Sequence, residues 1–170
     1  MQKKILVLLE DMVEDSEFLY PYLRLKEEGF DVISAGPAKK SYQGKGGMRF
    51  TPDVAFEEIA TVEYDAIVIP GGYAPDRWRR DAEIIAFVKK HHESGKLIAS
   101  ICHGPWLLIS AGIVKGRRVT AFHAIKDDLL NAGALYEGNE TEEDGNLLTS
   151  TNPQTMLPMM KRLVERLRSA

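Results

Sequence analysis

The segment Ala99-Ser100-Ile101-Cys102-His103-Gly104-Pro105 carries the sharpest chemistry in this chain. It joins a short apolar run to the start of a helix with almost no loop between them. Small residues stand two places before and two places after Cys102. That is the small-x-nucleophile-x-Gly spacing of a nucleophile elbow, with cysteine in place of serine. Such a turn needs small neighbours because the nucleophile takes a strained backbone conformation that pushes its side chain outward. A helix beginning just after it would aim backbone N–H groups at the sulfur and favour thiolate. The help matters, since a thiol of ordinary pKa (~8.5) is only ~3% ionised at neutral pH. The plainer alternative is a buried structural cysteine beside a surface His103.

Other residues could serve the same chemistry. Pro70-Gly71-Gly72 follows a second apolar run, and glycine there lets a backbone amide come close to a substrate. The N–H groups of Gly72 and His103 could together form an oxyanion hole, although a simple turn explains the same residues. Glu14 follows the first apolar run and could exchange a proton with the thiol. The position also suits a helix-terminal acid with Asp15 or Ser16 as cap, and spacing alone favours that role. His91 and His92 are adjacent, so they point different ways from a helix and cannot chelate together. Arg77-Trp78-Arg79-Arg80 is too short for a nucleic-acid surface and better suits a surface or oligomer contact. Gly44-Lys45-Gly46-Gly47 matches neither a phosphate-binding loop nor a dinucleotide fingerprint. No metal or cofactor is expected.

The elements that must hold these groups alternate in type. Short apolar runs at Ile5–Leu9, Phe30–Ala35, Ala66–Ile69 and Leu97–Ser100 read as buried strands. Further strands are expected at Val119–Ala121, Ala134–Tyr136 and Leu147–Ser150, with an acidic turn at Glu142–Gly145. Helical spacing marks Ser16–Glu28, Ala82–His92, Gly104–Ala111, Ala124–Asn131 and Thr155–Arg168, and Pro21 should kink the first of these. Ser41–Gly47 reads as a polar loop, leading into a hairpin at Met48–Phe50. Alternating strands and helices predict an α/β fold: a three-layer sandwich with a mostly parallel sheet. In such sheets ligands bind beyond the carboxyl ends of the strands, where Glu10–Asp15, Pro70–Gly72 and Ser100–Gly104 fall.

Composition sets the bounds. The chain has 170 residues, enough for one domain over residues 1–170 with a sizeable core. Apolar residues at 44% and charged residues at 28% exclude a disordered or fibrous chain. Lys and Arg total 22 against 25 Asp and Glu, a net charge of −3, so neither nucleic acid nor an acidic membrane is expected as a partner. Cys102 is the only cysteine, which excludes an internal disulfide and fits a reducing compartment. The run Ile5–Leu9 is too short for a signal-peptide core, so a cytoplasmic location is expected.

Taken together, Tyr20–Gly29, Pro70–Asp76, Ala99–Pro105 and Ile125–Asp128 resemble the PfpI family in register over nearly the whole chain. This is the intracellular-protease-like branch of the DJ-1 superfamily, whose fold is the flavodoxin-like, class I glutamine amidotransferase-like sandwich. The resemblance implies Cys102 as nucleophile, His103 as its partner, and oxyanion donors at the amides of Gly72 and His103. It places the carboxylate that contacts the nucleophile at Glu14. It also implies an acid from a neighbouring subunit orienting the histidine, at Asp76, and hence a homodimer or hexamer. Two positions depart from the family pattern. Residue 76 is Asp where Glu is frequent, one methylene shorter, and Phe122-His123 replaces an aromatic-proline pair that often supplies a tyrosine hydroxyl.

The activities implied are hydrolysis of peptides or amides, and conversion or repair of reactive dicarbonyls such as methylglyoxal and their adducts. Both start with sulfur attacking a carbonyl. A non-enzymatic stress protein, a redox sensor or holdase with an oxidisable Cys102, is the rival. An amidotransferase is excluded, because no His-x-Glu pair occurs late in the chain: His123 is the last histidine, followed by Ala124 and Ile125.

Overall fold

The computed structural model describes residues 2–169, so the end residues of the expected domain, Met1 and Ala170, lie outside it. In chain order the strands and helices are β1 (Lys4–Leu8), α1 (Asp15–Glu27), β2 (Asp31–Gly36), β3 (Tyr42–Gln43), β4 (Arg49–Phe50), β5 (Val54–Ala55), β6 (Ala66–Ile69), α2 (Ala74–Trp78), α3 (Ala82–Glu93), β7 (Leu97–Ile101), α4 (Pro105–Ser110), α5 (Lys126–Asn131), β8 (Thr141–Asp144), β9 (Leu147–Ser150) and α6 (Met156–Ser169). The main sheet runs β5-β2-β1-β6-β7-β9-β8, with only β8 antiparallel to its neighbour. Its central order, β2-β1-β6-β7-β9, is the flavodoxin-like order with a switch beside β1. The expected α/β sandwich is therefore the fold observed.

Alternation along the strands divides the core. Ile5, Val7 and Leu9 face one side with Phe18 and Leu25 of α1 and Met159, Leu163 and Leu167 of α6. Leu6 and Leu8 face the other side with Ile84 and Val88 of α3 and Leu107 and Leu108 of α4. A parallel strand covered on both faces must be largely apolar, which is why β6 is an apolar run throughout, β1 is one after Lys4, and β7 is interrupted only by Ser100. Among the described residues no helix is long and apolar enough to cross a membrane.

Several local expectations are corrected. The acidic residues Glu142–Asp144 form strand β8 rather than a turn, and Gly145-Asn146 makes the reversal into β9. The strand survives because its charges are paired. Glu143 meets Arg162 and Arg166 of α6, and Asp144 meets Arg117. Charge on an edge strand also discourages pairing with another chain. Val119–Ala121 and Ala134–Tyr136 lie beside each other but form only an isolated bridge, Arg118 to Leu135, instead of sheet strands. Helix α1 passes through Pro21 unbroken, with the ring packed inward. Asp76 lies on a short helix, α2, that the sequence pattern did not mark.

The inward face of α6 generates a prediction. Leu163 is fully buried between α6 and the sheet, whereas Leu157 on the same helix is half exposed. Leu163→Ala is expected to lose about 2–5 kcal/mol of stability in urea denaturation. Leu157→Ala should stay within ~0.5 kcal/mol of the parent.

Candidate active site

Strand β7 ends at Ile101, and Cys102 turns the chain with φ +58°, one of two non-glycine residues with positive φ among the described residues. Holding a cysteine there costs on the order of 1–3 kcal/mol, so neighbours must enforce it. Cys102 N–H donates to Ser150 O at 2.8 Å, and its carbonyl accepts from Phe122 N–H at 2.9 Å. Gly104 completes the turn, since a Cβ there would strike Ser100 Oγ and the Ile69 carbonyl. Position 71 is equally closed. A Cβ would lie 2.6 Å from Glu17 Oε2, 2.8 Å from Cys102 Cβ and 2.9 Å from His103 N.

The sulfur faces four groups. The amides of His103 and Gly72 stand close enough to favour its anion. His103 Nδ1 lies 3.3 Å from Sγ. Glu17 lies against it with 0% exposure, one oxygen accepting from Gly71 N–H at 2.7 Å and the other without a regular hydrogen-bond partner. The approach of carboxyl and thiol falls short of a regular hydrogen bond, yet each shifts the other's titration.

This corrects the assignment of the carboxylate to Glu14. Glu14 is the residue just before the first turn of α1, partly exposed, and pairs with Lys45 at 3.5 Å. Glu17 lies one turn further along, on the stripe of Phe18, Pro21 and Leu25 that α1 turns inward. The two acids share a helical face, and the one a turn inside the helix, Glu17, is the one that lies buried against the sulfur. Glu14 still lines the rim of the cleft above Cys102, a cavity of about 360 Å³.

The charge state also departs from expectation. Burial pushes Glu17 up to about 7, against the lowering effect of the Gly71 N–H bond. Burial, then the Glu17 carboxylate, push the Cys102 thiol up to about 12, against the two amides and Lys45. Helix α4 has only six residues and does not overcome this. A thiolate at this sulfur requires the proton to reside on Glu17, which removes the adjacent negative charge. The two groups thus titrate as one unit holding a shared proton near neutral pH. Burial pushes His103 down, with Lys45 acting in the same direction, so its ring is mainly neutral at pH 7. That ring is fixed between Trp106 and Phe122, at centroid distances of 4.9 and 5.1 Å.

The remaining expected residues separate. The amides of Gly72 and His103 do converge beside the sulfur. Asp76 does not line the cleft of its own chain; it is half-buried and pairs with Arg80 one turn along. His123 is exposed and tilts against Phe122 rather than reaching the cleft. His91 is buried, with Nε2 3.0 Å from Leu97 O, and faces away from the cleft. Lys45, passed over in a glycine-rich loop, lines the cleft. Among the described residues no group of three His, Cys, Asp or Glu could hold a metal ion.

Glu17 makes folding pH-dependent. The folded chain holds its proton more tightly than the unfolded chain, so its contribution to stability is lost as pH rises from about 4.5 to about 7. The loss is about 3 kcal/mol. Glu17→Gln is expected to flatten the difference in melting temperature across that window, measured by calorimetry in parallel with the parent.

Comparison with known proteins agrees with this geometry. Residues 3–166 match the DJ-1/PfpI family. A deglycase of Pyrococcus abyssi is 44% identical over 165 residues, covering 97% of this chain and 99% of the relative. Protein/nucleic acid deglycase 2 of Escherichia coli is 39% identical over the full length of both chains. The crystal structure of Drosophila melanogaster DJ-1beta superposes with a TM-score of 0.92 at 26% identity, covering 98% of this chain and 91% of that one. With its elbow cysteine, its glycine-lined turn and a match spanning residues 3–166, the chain belongs to the DJ-1/PfpI family.

Proposed function

We propose that this chain is a cysteine-dependent enzyme in which Cys102 Sγ attacks a carbonyl carbon. The substrates are reactive dicarbonyls such as methylglyoxal and their adducts, with peptide or amide bonds as the second class. One observation carries the reading: a buried acid, Glu17, lies against a cysteine on a strained elbow at the floor of an open cleft. A structural cysteine needs neither the strain nor the acid.

The geometry supports a first step. The thiol proton passes to Glu17 as Sγ bonds to the carbonyl carbon, and the C=O π pair moves onto oxygen. The amides of Gly72 and His103, which favour charge on the sulfur, would receive that developing oxyanion. Glu17 then returns the proton to oxygen, giving a neutral hemithioacetal from an aldehyde. Neutral His103 beside Sγ can shuttle a proton in the steps that follow.

We further propose that Asp76 works in trans within a homodimer or hexamer. Its absence from its own chain's cleft favours this reading, as does its place on the first turn of α2 beside the exposed Arg77. In a two-fold dimer each subunit would lend its acid to the other. The site would then act as one unit of nucleophile, imidazole and orienting acid.

A panel of methylglyoxal and peptide substrates tests the main reading. Cys102→Ser should abolish turnover, and Glu17→Gln should reduce it by roughly 10²-fold or more. Full activity in Cys102→Ser would end the proposal. A stable gain of two oxygens at Cys102 on peroxide treatment, with no turnover of any substrate, would favour the redox-sensor reading instead. For Asp76, inactive Asp76→Ala and inactive Cys102→Ser are mixed and allowed to exchange subunits. Partial recovery of activity is expected; proven exchange without recovery would remove the acid in trans.

A further inference from the structure

The loop between β3 and β4 is built around a buried carboxylate. Asp15 Oδ2 accepts from Gly46 N–H at 2.5 Å, and Oδ1 accepts from Met48 N–H at 2.8 Å. A Cβ at position 44 or 46 would run into that carboxylate, which accounts for both glycines. Lys45 N–H, between them, donates to Val13 O at 2.8 Å. The loop is thereby clamped onto the start of α1 from its backbone, leaving the Lys45 side chain free to reach the cleft. There it is the single lysine or arginine among the described lining residues. Its Nζ lies 3.5 Å from Glu14 Oε2 and 5.9 Å from the centre of the Tyr73 ring.

We propose that Lys45 is a specificity-determining residue, which selects carbonyl substrates bearing a carboxylate by releasing Glu14 and pairing with that group. The proposal rests on the reading of Cys102 as a carbonyl-directed nucleophile and names the substrate class of the same cleft. Three features support it. The Lys45–Glu14 pair is half exposed on the lysine side, and such pairs are weak and open readily. The Lys45 charge is felt at Cys102, Glu17 and His103 alike, so an anion held by it stands beside the reacting atoms. A single cation flanked by Glu14 and Glu17 suits a singly charged carboxylate better than a phosphate dianion, which both acids would repel.

Alkylation of Cys102 tests this without requiring turnover. Sulfur displaces iodide from iodoacetate and from iodoacetamide through the same S–C bond formation, and the reagents differ only in the carboxylate. The ratio of their second-order rates at one pH therefore cancels any change in the ionised fraction of the thiol. At low salt, Lys45→Met should lower the iodoacetate-to-iodoacetamide ratio by about tenfold, Lys45→Arg should keep it, and Glu14→Gln should raise it several-fold. In the parent the ratio should shrink in 0.5 M salt, where the screening length is only a few Å, and in Lys45→Met it should hardly move. An unchanged ratio in Lys45→Met, with folding verified by its melting temperature, would overturn the proposal. A parent that turns over no carbonyl compound would instead overturn the reading of Cys102, while the alkylation ratio would still report on Lys45.

Discussion

A carboxyl group with no access to water lies against the only thiol in the chain, and the architecture around the cleft is arranged to keep it there. Glu17 reaches Cys102 because α1, joined to β1 by residues 9–14, turns one stripe inward. Cys102 meets it because the elbow rotates the sulfur off the end of β7 into positive φ. The turn after β6 must then pass between them with no side chain, which only glycine allows at 71. Neither buried group is comfortable as an anion alone. Their proximity lets one proton serve both, so burial, which opposes ionisation, becomes the means of keeping a mobile proton beside the sulfur near neutral pH.

The central sheet was legible in sequence because a strand covered on both faces must be largely apolar, and β1, β6 and β7 show this directly. The elbow was legible for a comparable reason: small residues at 100 and 104 answer to a steric demand. What could not be read was anything decided by contacts between distant segments. Val119–Ala121 has strand composition, but its neighbours are loop 134–136 and the Thr149 hydroxyl, which accepts from Thr120 N–H at 3.0 Å. Strand β8 looks like a turn because its acids are stabilised from outside, by arginines of α6 and of residues 117–118.

The exchange of Glu14 for Glu17 is the most instructive case. Both acids lie near the start of the same helix, and a resemblance alone assigned the role to the first. The discriminating signal was depth along the helix: both acids are in phase with Pro21 and Leu25, but Glu14 precedes the first turn and Glu17 stands inside it. An acid in phase with an apolar stripe is out of place unless something beneath it needs a carboxyl. Lys45 offered no such signal, because what directs it to the cleft is the Asp15 carboxylate, 30 positions earlier in the chain.

The closed space at position 71 has a consequence for how such a protein can change. Three groups from two separate segments, the Glu17 carboxyl of one and the Cys102 side chain and His103 amide of the other, meet within the volume of one methyl group. Any larger residue at 71 would displace all three together, so the floor of the cleft is a single point of failure that tolerates no gradual alteration. The rim is the opposite. Lys45 and Tyr73 are exposed and Asp76 is half-buried, so a new side chain at any of them meets solvent on at least one side. Diversification is thus channelled outward: new preferences arise at the edge of the cleft, while the chemistry beneath is inherited whole or lost.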